Sequence, residues 1–414
     1  MMSFITKLRL HNRTMLLAII FMATTSIVLN FISAAYARNF FYIASYISII
    51  SIIINLKKRP DTILILLVAS LFFVGLSKYL WFCLEYIGNP QYNKYNPYFN
   101  TGKRLMLSAV IAWSLFSLEE YIKQSDKKLI KIAMASAFII ASAVGVYQSV
   151  NYPNARLDFF LGYATDSAYM YSAICIFVII QLEKNRAVIS KLAGAVCFVI
   201  AIYVLFKTGT RNVLICFPLI LLICLTVWKE NFIRKASIVL AAIVIAAVVG
   251  YKPFIEPRIT ATTNEITNYT QHDGNRFGSF TARLAMWDVG YHAFKSHPWG
   301  MSFEEREKFA KDYTHKTNSN KSALHFMNIH LHNELIDTAS LQGIAGVLVM
   351  LASYISLFYF ACKNKDNLFL GITLIIISVG FTDVIFISRE QSIFFPLILI
   401  LATLLERQHL RKEQ

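Results

Sequence analysis

Charged side chains are scarce in this sequence, 15% of residues against 56% hydrophobic, and that shortage excludes the surface of a water-soluble domain. Polar interruptions are just as scarce inside the apolar stretches. Runs such as 132–150 and 236–250 show almost no polar stripe, whereas a helix at the edge of a soluble core keeps one. Cysteine supplies no framework: Cys83, Cys175, Cys197, Cys216, Cys224 and Cys362 lie mostly within or beside apolar runs, with no CxxC pair and no metal-ligand spacing. They read as small apolar packing residues, and no disulfide scaffold is expected. No clear cleavage box follows the apolar run that starts at Met15, so it reads as a retained first span and not as a signal peptide. Short, Gly- or Pro-broken spans do not recur at matching positions in the two halves, which leaves a transporter built on inverted repeats with little support.

What is present is a succession of apolar runs, each long enough to cross about 30 Å of hydrocarbon. The expected fold class is all-α, a polytopic membrane protein of about twelve spans: 15–35, 39–56, 62–82, 104–118, 132–150, 167–182, 192–207, 212–228, 236–252, 333–361, 368–386 and 391–406. This divides the chain into a nine-span bundle (1–252), a large extracytoplasmic loop (253–332) and a three-span C-terminal part with its tail (333–414). The net charge of +16 needs no nucleic acid to explain it. Lys57-Lys58-Arg59, Lys127-Lys128, Lys184 with Arg186, Arg234-Lys235 and Arg407 with Arg411-Lys412 all fall in one alternate set of short segments. By the positive-inside rule that set is cytoplasmic, as are both termini. The long loop is mixed in charge and does not set topology.

The opposite set of segments holds the polar chemistry. Two of them, 85–103 with Tyr92, Tyr95 and Tyr98, and 151–166 with Arg156 and Asp158, read as interfacial anchoring or as a glycan-facing wall. Seven of the nine histidines (His272, His292, His297, His315, His325, His330 and His332) lie in the long loop or at its junction with the next span. Within that loop Leu284, Trp287, Tyr291 and Phe294 recur at helical spacing, predicting an amphipathic helix over 281–296 that lies on membrane or bundle. Thr281 is placed to cap it, which puts Arg283 in the first turn. There an arginine gains nothing from the helix dipole, so presenting its five-donor fork to a phosphate is its natural use. The string His330-Leu331-His332-Asn333-Glu334-Leu335-Ile336-Asp337 marks the re-entry into the membrane. A histidine in such a partly dry mouth can exchange a proton near neutrality. His-x-His spacing also suits zinc, but a third ligand has to come from far away in the chain. Arg211, in the sharp turn Thr208-Gly209-Thr210-Arg211, is either a snorkelling span end or a third group converging on the same face. Two guanidinium groups and one base are what departure of a diphosphate requires.

These segments resemble the O-antigen ligase and polymerase superfamily of integral-membrane glycosyltransferases. The likeness is carried by Thr208-Gly209-Thr210-Arg211, by Arg283-Leu284-Ala285-Met286-Trp287 running to His297-Pro298-Trp299-Gly300, and by His332-Asn333-Glu334-Leu335 followed by Gly343 and Gly346. One departure is Met301-Ser302 after Gly300, where the family has a further glycine. The ligase branch is the more similar one. The resemblance implies transfer of O-polysaccharide from undecaprenyl diphosphate to an outer-core sugar of lipid A-core at the periplasmic face of the inner membrane, with no cofactor and no metal. It implies Arg211 and Arg283 as diphosphate-binding catalytic residues, His332 as the catalytic histidine and an acidic residue matched by Asp383 or Glu390; Asn333 and His330, next to His332 in the chain, are further supporting candidates. Membrane lipids, an O-antigen polymerase and a chain-length regulator are the further partners it implies. The rival readings are an O-antigen polymerase using the same donor, an O-oligosaccharyltransferase acting on protein serines, a lipid-linked glycan transporter without catalysis, and a purely structural membrane protein.

Overall fold

The computed structural model describes residues 2–90, 92–228, 237, 256–275 and 278–406, so all but one residue of the expected ninth span, 236–252, lies outside the described residues. The described residues form fourteen α-helices and no strand: α1 Met2–Leu29, α2 Ala34–Ile54, α3 Thr62–Tyr86, α4 Tyr92–Ser117, α5 Gln124–Asn151, α6 Ala164–Glu183, α7 Val188–Thr208, α8 Arg211–Thr226, α9 Glu256–Gln271, α10 Ser279–Ser296, α11 Phe303–Thr317, α12 Glu334–Lys363, α13 Asn367–Gly380 and α14 Gln391–Glu406. Seven of them (α1 from His11, α2, α3, α5, α6, α7 and α12) are long and apolar enough to cross a membrane; α8, α13 and α14 are apolar but shorter. The chain is a multi-pass helical membrane protein. Several boundaries differ from expectation, among them α1, which runs Met2–Leu29, α5, which starts at Gln124, and two that bear on the site. The fourth helix begins at Tyr92, well before 104, and α13 stops at Gly380, leaving Asp383 in the turn beyond it.

Burial sorts the helices into centre and rim. From Ser167 to Ile180 every residue of α6 is buried, and so is α14 from Gln391 to Leu405. In α7 the apolar side chains Val188, Ile189, Leu192, Val196 and Val199 are exposed, as suits a lipid-facing helix. Polar contacts sort the two ends. At one end Arg13 pairs with Asp126, Lys58 with Glu120 and Lys184 with Glu406. These groups all come from the segments that charge patterning assigns to one side. At the other end Leu157 N–H donates to Lys207 O (3.2 Å), Asn212 Nδ2 to the Thr382 hydroxyl (2.6 Å), Tyr98 to Asp337 (2.6 Å) and Tyr86 to Glu304 (2.8 Å). Tyr95 and Tyr98 do not form an open glycan wall. They are buried with Trp81, Phe82, Tyr86, Phe303 and Leu341 in an aromatic core that ties α3 and α4 to α11.

The long loop has its own small core. Ala282, Ala285, Met286 and Val289 of α10 pack on Ala310, Ala323, Met327 and Leu331. The predicted face is therefore rotated: Tyr291 is exposed, Leu284, Trp287 and Phe294 are only partly buried, and the small residues make the contact. Thr281 is not the cap. The helix starts at Ser279 behind Gly278, Thr281 is buried, and Arg283 falls in the second turn.

The element that shapes the site is α12, which breaks at Gly343 (φ 65°, ψ −158°), a conformation that only glycine adopts without strain. The loop 298–301 plugs the break: Ile344 N–H donates to Pro298 O (2.8 Å) and Met301 N–H to Leu341 O (3.0 Å). Before the break, Glu334 meets Lys78 (2.8 Å) and Gln342 meets Ser77 (2.9 Å). Eight helical residues advance about 12 Å, yet their partners are consecutive on α3, so this first segment crosses α3 steeply. A Cβ on Gly380 would lie 2.5 Å from the Tyr354 hydroxyl and 3.6 Å from Glu334 Cβ. The start of α12 is thus folded back into the bundle, beside the end of α13.

Candidate active site

Two turns meet in that fold-back, 330–333 and 381–384. Asn333 caps α12, its Oδ1 accepting from the N–H groups of Leu335 and Ile336 (both 3.1 Å), while its Nδ2 donates to Phe381 O (3.0 Å). Glu334 completes the clasp by accepting from the Phe386 N–H (3.1 Å) as well as from Lys78. His332, held at φ 48°, then faces Asp383 with Nδ1 3.0 Å from Oδ1. His330 Nε2 stands 3.6 Å from the same oxygen, and the two imidazole rings lie edge to face at 4.4 Å. Tyr169, buried on α6, donates its hydroxyl to Asp383 Oδ2 (3.1 Å), and Val384 N–H donates to Oδ1 (2.9 Å).

The electrostatics follow from this packing. Burial pushes the Asp383 carboxyl up, but the two imidazoles beside it more than reverse that and hold it well below the usual carboxylate range. Burial likewise pulls His330 down, and the neighbouring Asp383 carboxylate overcomes it, leaving His330 raised. An ionised Asp383 accepts Nδ1–H from His332 and leaves the Nε2 lone pair free to take a proton. His330, His332 and Asp383 also bring one ligand atom each within 4.8 Å of one another, so the third ligand that the His-x-His spacing needed is present. Two imidazole nitrogens and a carboxylate suit a borderline cation such as zinc, although the His332–Asp383 hydrogen bond already accounts for the pairing.

Each residue singled out in the sequence has a definite place. Arg283, on the second turn of α10, is partly buried, acts electrostatically on Tyr169, and makes no hydrogen bond or ion pair to the described residues. Arg211 opens α8 behind Gly209, whose φ of 67° ends α7. It is exposed, and its Nη1 donates to Thr262 of α9 (3.2 Å). The next residue, Asn212, bonds Thr382, which puts the Arg211 turn beside the Asp383 turn without contact between Arg211 and His332 among the described residues. Of the two acidic alternatives, Asp383 meets the histidines, whereas Glu390 lies by Ser388 (3.4 Å).

Sequence reasoning missed Tyr169, Lys78 and Arg306. Arg306 is buried, donating to Asp337 (2.9 Å), Ser340 (3.0 Å) and Met327 O (3.0 and 2.9 Å). Only the unusual charge of Lys78 within an apolar run offered a signal.

A histidine oriented by a carboxylate at a turn between helices, with an arginine on the same face that makes no hydrogen bond or ion pair to the described residues, is an arrangement suited to group transfer. Residues 196–351 match the family described as O-Antigen ligase. The chain is 29% identical over 389 residues to the O-antigen ligase of Escherichia coli (strain K12), covering 92% of this chain and 90% of that protein. It is also 24% identical over 257 residues to an uncharacterized protein of Haemophilus influenzae (strain ATCC 51907 / DSM 11121 / KW20 / Rd), covering 58% of this chain and 61% of that one. Over most of its length the chain is thus similar to an O-antigen ligase, and the likeness supports a glycosyltransferase-type enzyme of the inner membrane.

Proposed function

We propose that the protein transfers O-antigen polysaccharide from undecaprenyl diphosphate to an outer-core sugar of lipid A-core, at the periplasmic face of the inner membrane. The observation that carries this reading is the His332–Asp383 hydrogen bond (3.0 Å), with an Arg283 guanidinium that no described group satisfies acting on Tyr169, which itself bonds Asp383. His332 Nε2 takes the proton of the acceptor hydroxyl as its oxygen attacks the anomeric carbon. The bond from that carbon to the diphosphate oxygen breaks, and undecaprenyl diphosphate leaves. Negative charge grows on the leaving diphosphate, so Arg283 stabilises the transition state more than the bound substrate. Arg211 is the second cation of the clamp and reaches the diphosphate by releasing Thr262, a swing open to an exposed side chain. One in-line displacement inverts the anomeric carbon.

The test is transfer by the purified protein from undecaprenyl-diphosphate-linked glycan to lipid A-core, with the linkage of the product determined. Formation of one new, inverted linkage to the core is the expected result. Extension of the lipid-linked glycan instead makes the protein a polymerase, and glycan movement without any new glycosidic bond makes it a transporter.

A further inference from the structure

Two more arginines lie near the turn that follows Asp383 and take no part in that mechanism. Arg104, in the middle of α4, is 6% exposed. Its side chain hydrogen-bonds Tyr42, and its Nε is buried with no partner among the described residues. One helical turn earlier, Thr101 donates its hydroxyl to Ile387 O (3.3 Å), which sets this stretch of α4 against the turn that leads into Arg389 and Glu390. Those two residues supply charges that act on Arg104. Arg389 is exposed, and its guanidinium makes no hydrogen bond or ion pair to the described residues. A buried guanidinium with an unspent N–H, beside a like charge and only one carboxylate, is costly unless an anion completes it. Two planar forks match the oxygens of a phosphate group.

The 383–391 segment joins this pair to the reacting groups. Asp383 stands at one end with the histidines, and Arg389 at the other. Asp166 lies between them, hydrogen-bonded to Ser388 and close enough to feel Asp383, Glu390 and His330. Asp166 and Glu390 put two carboxylates along the segment that links the two ends, and their charge disfavours one diphosphate spanning both.

We propose that Arg104 and Arg389 form a second anion-binding subsite, at the other end of the 383–391 segment from Asp383, which holds a phosphate group of the lipid-borne acceptor. The proposal rests on the two-lipid transfer reading, in which the donor diphosphate occupies Arg283. A phosphate at Arg104 and Arg389 anchors the acceptor at a fixed distance from His332 and so presents one hydroxyl for attack.

The test is equilibrium binding to the full chain in nanodiscs, with three probes: lipid A-core, the same glycolipid with its phosphates removed, and undecaprenyl diphosphate. The wild type is expected to bind the phosphorylated glycolipid about tenfold or more tightly than the dephosphorylated one. Arg389→Gln and Arg104→Gln should each erase most of that preference and leave undecaprenyl diphosphate binding unchanged. Arg389 is exposed, so its variant serves even if the Arg104 variant fails to fold. A preference that survives in Arg389→Gln, or that the wild type never shows, overturns the proposal. A selective loss of undecaprenyl diphosphate binding overturns it too, by giving the subsite to the donor. No step depends on turnover: a wild type that shows the preference but never forms a glycosidic bond refutes the transferase reading and leaves the subsite standing.

Discussion

At the start of α12, two sets of charges lie within a few residues of each other and are treated in opposite ways. Glu334 and Asp337 are fully buried, and all four of their carboxylate oxygens are engaged: by Lys78 and the Phe386 N–H in one case, by Arg306, the Leu331 N–H and Tyr98 in the other. His332, just before α12, and Arg283 of α10 are partly exposed, and among the described residues the His332 Nε2 and the Arg283 guanidinium make no hydrogen bond or ion pair. The first set has no capacity left for a ligand, so its role is to hold the fold-back. The second has donors and an acceptor to spare, which is what a reacting substrate needs.

That contrast can be broken most sharply at His332. In a purified transfer assay, His332→Ala should lower the rate about 10²–10⁴-fold while the amount of folded protein in the membrane stays at the wild-type level. A variant that transfers normally would move His332 into the structural set. Arg306→Ala should do the reverse. It leaves Asp337 buried without its partner at a cost of about 3–5 kcal/mol, a large share of ordinary stability, so size-exclusion profiles should show little intact protein. Arg283→Lys keeps its charge but loses the bidentate fork. A loss of about tenfold in rate, about 1.4 kcal/mol of transition-state stabilisation, is expected with unchanged thermal stability.

The smallest effect concerns pH. His330 is raised in the folded protein, so its pairing with Asp383 contributes fully below the unfolded histidine value, about 6.5, and fades as pH climbs through the folded value. Asp383 is depressed, and its contribution is lost only in strong acid. Between pH 6 and pH 9 the wild type should therefore lose more thermal stability than His330→Gln. Parallel melting curves would remove His330 from the pairing.

Much of this was legible in the residues. The scarcity of charge and the length of the apolar runs announced a helical membrane protein, because hydrocarbon leaves the backbone no partner but itself. Arg283 stood out in the amphipathic helix of the long loop, and His330, His332 and Asn333 as polar groups at a membrane re-entry. The choice between Asp383 and Glu390 did not, nor did the roles of Tyr169 and Lys78. Tyr169 lies in an unremarkable apolar helix, and Lys78 is 256 residues from the glutamate it neutralises.

Composition and hydropathy by themselves determined the class of solvent around this protein, its helical spans and the segment in which polar chemistry collects, since each of these depends on the local sum of side-chain transfer energies. Which carboxylate orients His332, which face of α10 is buried and how α12 folds back at Gly343 were decided only in three dimensions. Those outcomes depend on groups hundreds of residues apart satisfying one another where water cannot.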